Sequence, residues 1–344
     1  MGVNLTARQI ARNFLNGETP PRPLLLPIVF ALGAKVENVP LNQFLNNPTK
    51  IVSAARQMRN HLQVDGIACY FDAFLEVEAL GAALQRTSDD EPPLVDWKGS
   101  AKAGELPQGL RSPEEAAKSG RIPVATEVIR RMNAGPNRDF LLLAGVSGPV
   151  KLAALLTRLE KRENTGFGDL SAEALEFGSS VTTQLATTFL EGGADAIFLD
   201  EQIPVGLTTR TCEDWANLLA PAINVTRFYD ALPLLQLAGA TSALECWETV
   251  LGRAWDCLLC WPESIVSSST SLPSSAAMQS IPPGLALSLE FFRPDHPGKE
   301  EQIAKFCETV TNTKPAVITT AGDVPFSADM RYLKRVFAEI PRAH

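Results

Sequence analysis

Short apolar runs alternate along this chain with longer stretches whose apolar residues recur at helical spacing. Gly66 to Phe71 is apolar and aromatic, and Asp72 closes it where the polar, turn-rich part begins, the pattern of a buried strand. Seven further runs behave alike: Leu24 to Gly33, Asp139 to Gly148, Ala194 to Asp200, Leu232 to Gly239, Trp255 to Pro262, Leu285 to Phe292 and Pro315 to Gly322. Between them the spacing predicts helices over Asn47 to Asn60, Ile122 to Met132, Ala172 to Leu190, Cys212 to Ala231, Thr241 to Gly252, Lys299 to Val310 and Ala328 to Ile340. Pro48 suits a first helical turn, and Gly192 with Gly193 forms a stop signal.

Eight strands alternating with helices predict parallel βα units closing into a (β/α)8 TIM barrel, one α/β domain over residues 1–344. The segment before the first strand reads as an amphipathic helix ending at Gly17. Gln85 to Gly120 is polar and rich in Pro, Gly and Glu, too long for a plain connection. It is expected to form an elaborated loop between the second and third strands, with a small hairpin around Pro93 to Trp97. The alternative, an open doubly wound sheet, lacks its phosphate-binding fingerprint, because no GxGxxG follows a strand.

In a barrel, function sits at the strand C-terminal ends. Those ends carry Asp72, Ser147, Asp200 with Glu201, Gln236, Trp261, Glu290 and Asp323, with Arg293 just beyond the seventh strand. Converging carboxylates raise each other's pKa and serve as general acid or base, or hold a cation. Each taken alone is more often a turn cap or a helix N-cap. Trp261 could stack on a flat ligand. The Ser-rich run from Ser264 to Ser280 joins two strands and is read as a flap over the mouth.

Composition narrows the function classes. A formal charge of −8 and a pI near 5.1, without a concentrated basic patch, argue against nucleic acid as partner. No apolar stretch reaches the ~20 residues of a membrane span, and the first residues lack a signal-peptide core, so the chain is expected in the cytoplasm. The six cysteines are scattered in apolar surroundings and read as free thiols of a reducing compartment. Cys257 and Cys260 form a CxxC on a strand, where residues three apart face opposite sides and do not chelate together.

Three segments in order, FDAFLEVEALG, GVSGPVKLAALL and EGGADAIFLDEQ, resemble the uroporphyrinogen decarboxylase superfamily, which includes the cobalamin-linked methyltransferases. The resemblance runs from Pro21 to Ile340 and implies a (β/α)8 barrel. It implies for Asp72, seven residues before Ala79, the place of the carboxylate that stabilises a cationic pyrrole intermediate. The decarboxylases' arginine-rich segment after the first strand is here ALGAKVENVP, with Lys35 alone. The methyltransferases' zinc ligands would fall on Gln236, Ala238 and the neighbourhood of Gly322, none of which is His or Cys.

The resemblance implies a methyltransferase or demethylase working with a corrinoid or folate methyl carrier, through acid and base groups and not through zinc at the usual site. Asp72 and Glu290 are expected to be catalytic; Ser147, Asp200, Gln236, Trp261, Arg293 and Asp323 to bind a small-molecule substrate. A corrinoid protein is the implied partner, and a homodimer is compatible with the chain. The alternatives are a decarboxylase of a porphyrinogen-like or smaller acid, and a barrel that only binds its ligand.

Overall fold

The computed structural model describes residues 5–85, 88, 93–96, 105–135, 138–157, 167–202, 209–238, 258–262, 284–293 and 298–341. The predicted helix Thr241 to Gly252, the Ser-rich run, His296, and the tryptophans at 97, 247 and 255 lie outside them.

Ten strands are described: β1 (Leu24–Leu25), β2 (Gly66–Tyr70), β3 (Ala83–Gln85), β4 (Leu94–Asp96), β5 (Leu141–Ser147), β6 (Ala196–Gln202), β7 (Leu232–Ala238), β8 (Leu258–Pro262), β9 (Gly284–Leu287) and β10 (Val317–Thr320). All but β3 and β4 form one parallel sheet in the order β1-β10-β9-β8-β7-β6-β5-β2. Its two edges meet. Asp65 N–H donates to Leu25 O at 2.9 Å, and the Asp65 carboxylate accepts from Leu25 N–H at 2.9 Å and from both terminal nitrogens of Arg22. The sheet is therefore a closed eight-stranded barrel, as the alternation of runs predicts.

The described helices are α1 (Ala7–Leu15), α2 (Gly33–Val36), α3 (Leu41–Leu45), α4 (Pro48–Leu62), α5 (Leu75–Ala79), α6 (Pro113–Ala116), α7 (Ile122–Asn133), α8 (Pro149–Leu156), α9 (Ala172–Gly192), α10 (Thr209–Phe228), α11 (Lys299–Thr313) and α12 (Met330–Glu339). Local chemistry fixes their starts. Thr6 and Gln9 form a reciprocal capping box on α1, Asn47 caps α4 ahead of Pro48, and Ser171 caps α9. The antiparallel pair β3 and β4 is the hairpin expected in the long connection, with its second strand on the anticipated residues.

Three expectations need correction. The first strand is far shorter than Leu24 to Gly33: Pro27 has no N–H to donate, and Ile28 N–H turns to Thr320 Oγ1 at 2.9 Å instead of a neighbouring strand's backbone. The seventh strand ends at Leu287, where Ser288 accepts from Glu290 N–H and starts a 3-10 turn over Leu289–Phe292. Cys212 is disulfide-bonded, against the reading of six free thiols; among the described cysteines Cys69, Cys260 and Cys307 are free.

Candidate active site

The strand register sets the floor of the site. Ser147 pairs with Asp200, Asp200 with Gln236, and Gln236 with Cys260, so four side chains from neighbouring strands stand at one level on one face. Glu201, the next residue along β6, points the other way, to the helix layer. Its carboxylate accepts from Val150 N–H at 3.1 Å and Lys151 N–H at 2.8 Å at the start of α8. The row from Ser147 to Cys260 therefore faces the barrel interior.

Beneath that row the barrel is filled. Phe71 lies so close to β5 that a Cβ on Gly145 would meet its ring at 2.3 Å, and it stacks edge-on to Phe198 at 6.1 Å. A bulge in β2 makes this arrangement. Ala68 pairs with Leu143 but Tyr70 with Ala144, so the strand gains a residue and its alternation changes phase before Phe71 and Asp72. Tyr70 then turns outward, donating its hydroxyl to Leu45 O at 2.9 Å.

Asp72 is not a free carboxylate. Its Oδ2 lies 2.6 Å from Arg121 Nη1, and its Oδ1 accepts from Phe74 N–H at 3.0 Å. Arg121 Nε donates to Glu78 at 2.5 Å, and Nη1 also reaches the Tyr70 hydroxyl at 3.3 Å. Burial works against the charge of Arg121, but Tyr70, Asp72 and Glu78 together raise its pKa above the ordinary value.

A second cluster surrounds Ser147. Glu76 of α5 is buried, and its carboxylate accepts from Ser147 N–H at 2.7 Å and from Ser147 Oγ at 3.2 Å. Burial pushes the Glu76 carboxyl up to about 7, against the hydrogen bonds from Ser147 and the attraction of Lys151. Lys151, in the first turn of α8, pairs with Asp200.

Asp323 follows β10 and accepts from Phe30 N–H at 2.7 Å and Ala31 N–H at 2.9 Å, bracing the turn that enters α2. Burial raises its pKa to about 7 against those hydrogen bonds, and the charge of Asp72 adds to the rise. Glu290 and Arg293 pair with each other at 3.3 Å on the partly exposed 3-10 turn. Of Trp261, the strand position is described, paired with Leu285.

The structure thus brings Ser147, Asp200 and Gln236 into one row. Glu290 and Arg293 form a partly exposed pair on the turn that follows β9. Sequence reading missed Glu76, Arg121 and Lys151. A signal existed for the last two, since both are basic residues at helix starts, where the dipole disfavours positive charge unless a carboxylate answers it.

The donor set does not suit zinc at the family's usual place: Gln236 and Ala238 offer no imidazole or thiolate, and Cys260 is fully buried with its thiol held protonated, its pKa pushed up to about 12 by burial. Among the described residues no three His, Cys, Asp or Glu side chains converge to hold a metal ion. Nor is any described helix long and apolar enough to cross a membrane.

A closed parallel barrel with its polar side chains gathered at the strand C-terminal ends is a TIM-barrel protein with a candidate active site in the usual place. Over residues 6–225 the chain matches the family described as uroporphyrinogen decarboxylase (URO-D), and it belongs to that family. Among solved structures it is similar to a methyltransferase from Methanosarcina mazei, with TM-score 0.74 and 17% identity over 98% of each chain. It is more distantly similar to a B12-independent methionine synthase from Shewanella sp. W3-18-1, with TM-score 0.45 and 12% identity over 85% of this chain and 86% of that one. No match is found among curated protein sequences.

Proposed function

We propose that this barrel is a methyl-transferring enzyme that takes a small, weakly charged substrate on the row Ser147, Asp200 and Gln236. The observation that carries this reading is the commitment of the cations. Arg121 is spent on Asp72 and Glu78, and Lys151 on Asp200. A polyanionic tetrapyrrole would meet paired arginine and lysine and several carboxylates, and its charges would lose water without compensation. A small neutral molecule meets no such penalty. The methyltransferase activity named for the Methanosarcina mazei protein is the family chemistry that suits such a substrate.

In this reading a corrinoid or folate carrier supplies the methyl-exchanging centre. The chain's own residues do the rest: the floor row binds and orients the substrate, and Asp72 and Glu290 act as the acid and base groups at the mouth. Asp72 works from within its pair with Arg121, which fixes its position. Trp261, Arg293 and Asp323 surround the substrate, and the protein works in the cytoplasm, with a corrinoid protein as partner if the carrier is protein-bound.

The test is incubation of the purified protein with methylcobalamin or 5-methyltetrahydrofolate and a panel of methyl acceptors, read by mass spectrometry of products. A methylated product, reduced at least tenfold in a folded Asp72→Asn variant, is expected. Release of CO2 from a panel of carboxylic acids without methyl transfer would instead favour decarboxylation, and turnover in neither assay would leave a binding barrel.

A further inference from the structure

We infer that Gln236 is the specificity-determining residue of this site: its amide oxygen receives an O–H or N–H from a neutral group of the ligand at the floor of the barrel. The inference rests on reading the mouth as a small-molecule site, and it names the chemistry that the floor selects.

Gln236 is 2% exposed, and among the described residues its buried Oε1 has no hydrogen-bond partner. A buried carbonyl left without a donor destabilises the fold, and such a group at the mouth of a site is answered when a ligand supplies the donor. The surrounding row does not relieve it. Asp200, on one side, is an acceptor already answered by Lys151, and Cys260, on the other, is a fully buried thiol. Leu234, one step down the same face of β7, is buried and offers no polar atom.

The charges around Gln236 define the ligand further. The Asp200 carboxylate is paired with the Lys151 ammonium, so neither charge stands uncompensated beside Gln236. Phe198 and Phe71 fill the barrel beneath the row, so the surroundings of Gln236 on that side are apolar. The matching ligand is a compact apolar molecule ending in a neutral hydrogen-bond donor. A site built around a hydrogen bond rejects the analogue lacking it far more strongly than a hydrophobic pocket rejects an extra methyl.

Phenol and anisole test this, because they share a ring and differ in the donor. Titration calorimetry of the full chain is expected to show phenol binding at least tenfold tighter than anisole, with that ratio falling to near one in Gln236→Met. Without ligand, Gln236→Met is expected to melt no lower than the parent, and about 2 °C higher as the burial penalty of the carbonyl is relieved. Gln236→Leu serves as a second shape in case methionine packs badly.

The inference is overturned if neither probe binds, if the preference for phenol is absent or survives both substitutions, or if both variants melt several degrees lower, which marks a structural amide. Absence of methyl transfer with the phenol preference intact would sink the proposed reaction and leave the role of Gln236 standing.

Discussion

Arg121 and Asp72 meet 2.6 Å apart with both side chains only 6% exposed, and Glu78 closes on the other side of the same guanidinium. A buried pair of this kind holds geometry more than it adds stability, because two charges have left water to form it. Its place matters here. Arg121 precedes α7, Asp72 lies just past the second barrel strand, and Glu78 lies on α5, so one side chain ties three elements at the mouth.

Removing the arginine is therefore expected to cost more than removing either acid. Arg121→Met leaves Asp72 and Glu78 facing each other in a buried site and should lower stability by about 3–5 kcal/mol. Asp72→Asn leaves Arg121 with Glu78 and the Tyr70 hydroxyl and should cost less. Urea unfolding of both variants checks the order; equal losses would mean that Glu78 contributes nothing.

Glu76 predicts a pH dependence. Its carboxyl ionises near 4.5 when unfolded and near 7 when folded, raised by burial. Between those values the native state holds more protons than the unfolded one, so this group's contribution falls as pH rises from about 4.5 to about 7. The full loss is about 3 kcal/mol, from a shift worth ~1.4 kcal/mol per pH unit. Glu76→Gln keeps an acceptor for Ser147 N–H and removes the titration. It should equal the parent near pH 4.5 and exceed it above pH 7, as read by thermal melts across that range.

The architecture was legible because each apolar run is bounded by polar or glycine residues, and every barrel strand overlaps an expected run, although β6 runs past Asp200 to Gln202 and β9 starts one residue early at Gly284. What failed was extent. Pro27 and Ser288 end ladders through hydrogen bonding that apolar character does not reveal. The row Ser147, Asp200 and Gln236 was legible as strand ends. The ties made by Glu76, Arg121 and Lys151 were not, because each joins residues distant in sequence: Arg121 is 49 positions from Asp72, and Glu76 is 71 from Ser147.

Asp323, placed beside the substrate in the proposed site, has its two oxygens engaged by backbone N–H groups of Phe30 and Ala31. An asparagine there can accept from one of them and must turn its own NH2 toward the other. Asp323→Asn should thus destabilise by about 1–3 kcal/mol, the range for an unmet buried group. Denaturant melts at neutral pH measure it, and a neutral result would show that the turn does not depend on the carboxylate.

Gly148 sits where a Cβ would meet the Glu201 carboxyl at 2.6 Å. That carboxylate holds the first turn of α8 through Val150 and Lys151 N–H, and Lys151 in turn holds Asp200 in the floor row. Gly148→Ala must push Glu201 aside, so the effect reaches the site through the helix start. The expected loss is about 1–3 kcal/mol of stability, the usual cost of overpacking a filled site. Substrate affinity should weaken as well, because Lys151 and Asp200 are displaced together. Glu201→Gln, which keeps one acceptor without the added Cβ, should lose less of both. If Gly148→Ala destabilises while binding is unchanged, α8 does not position the floor of the barrel.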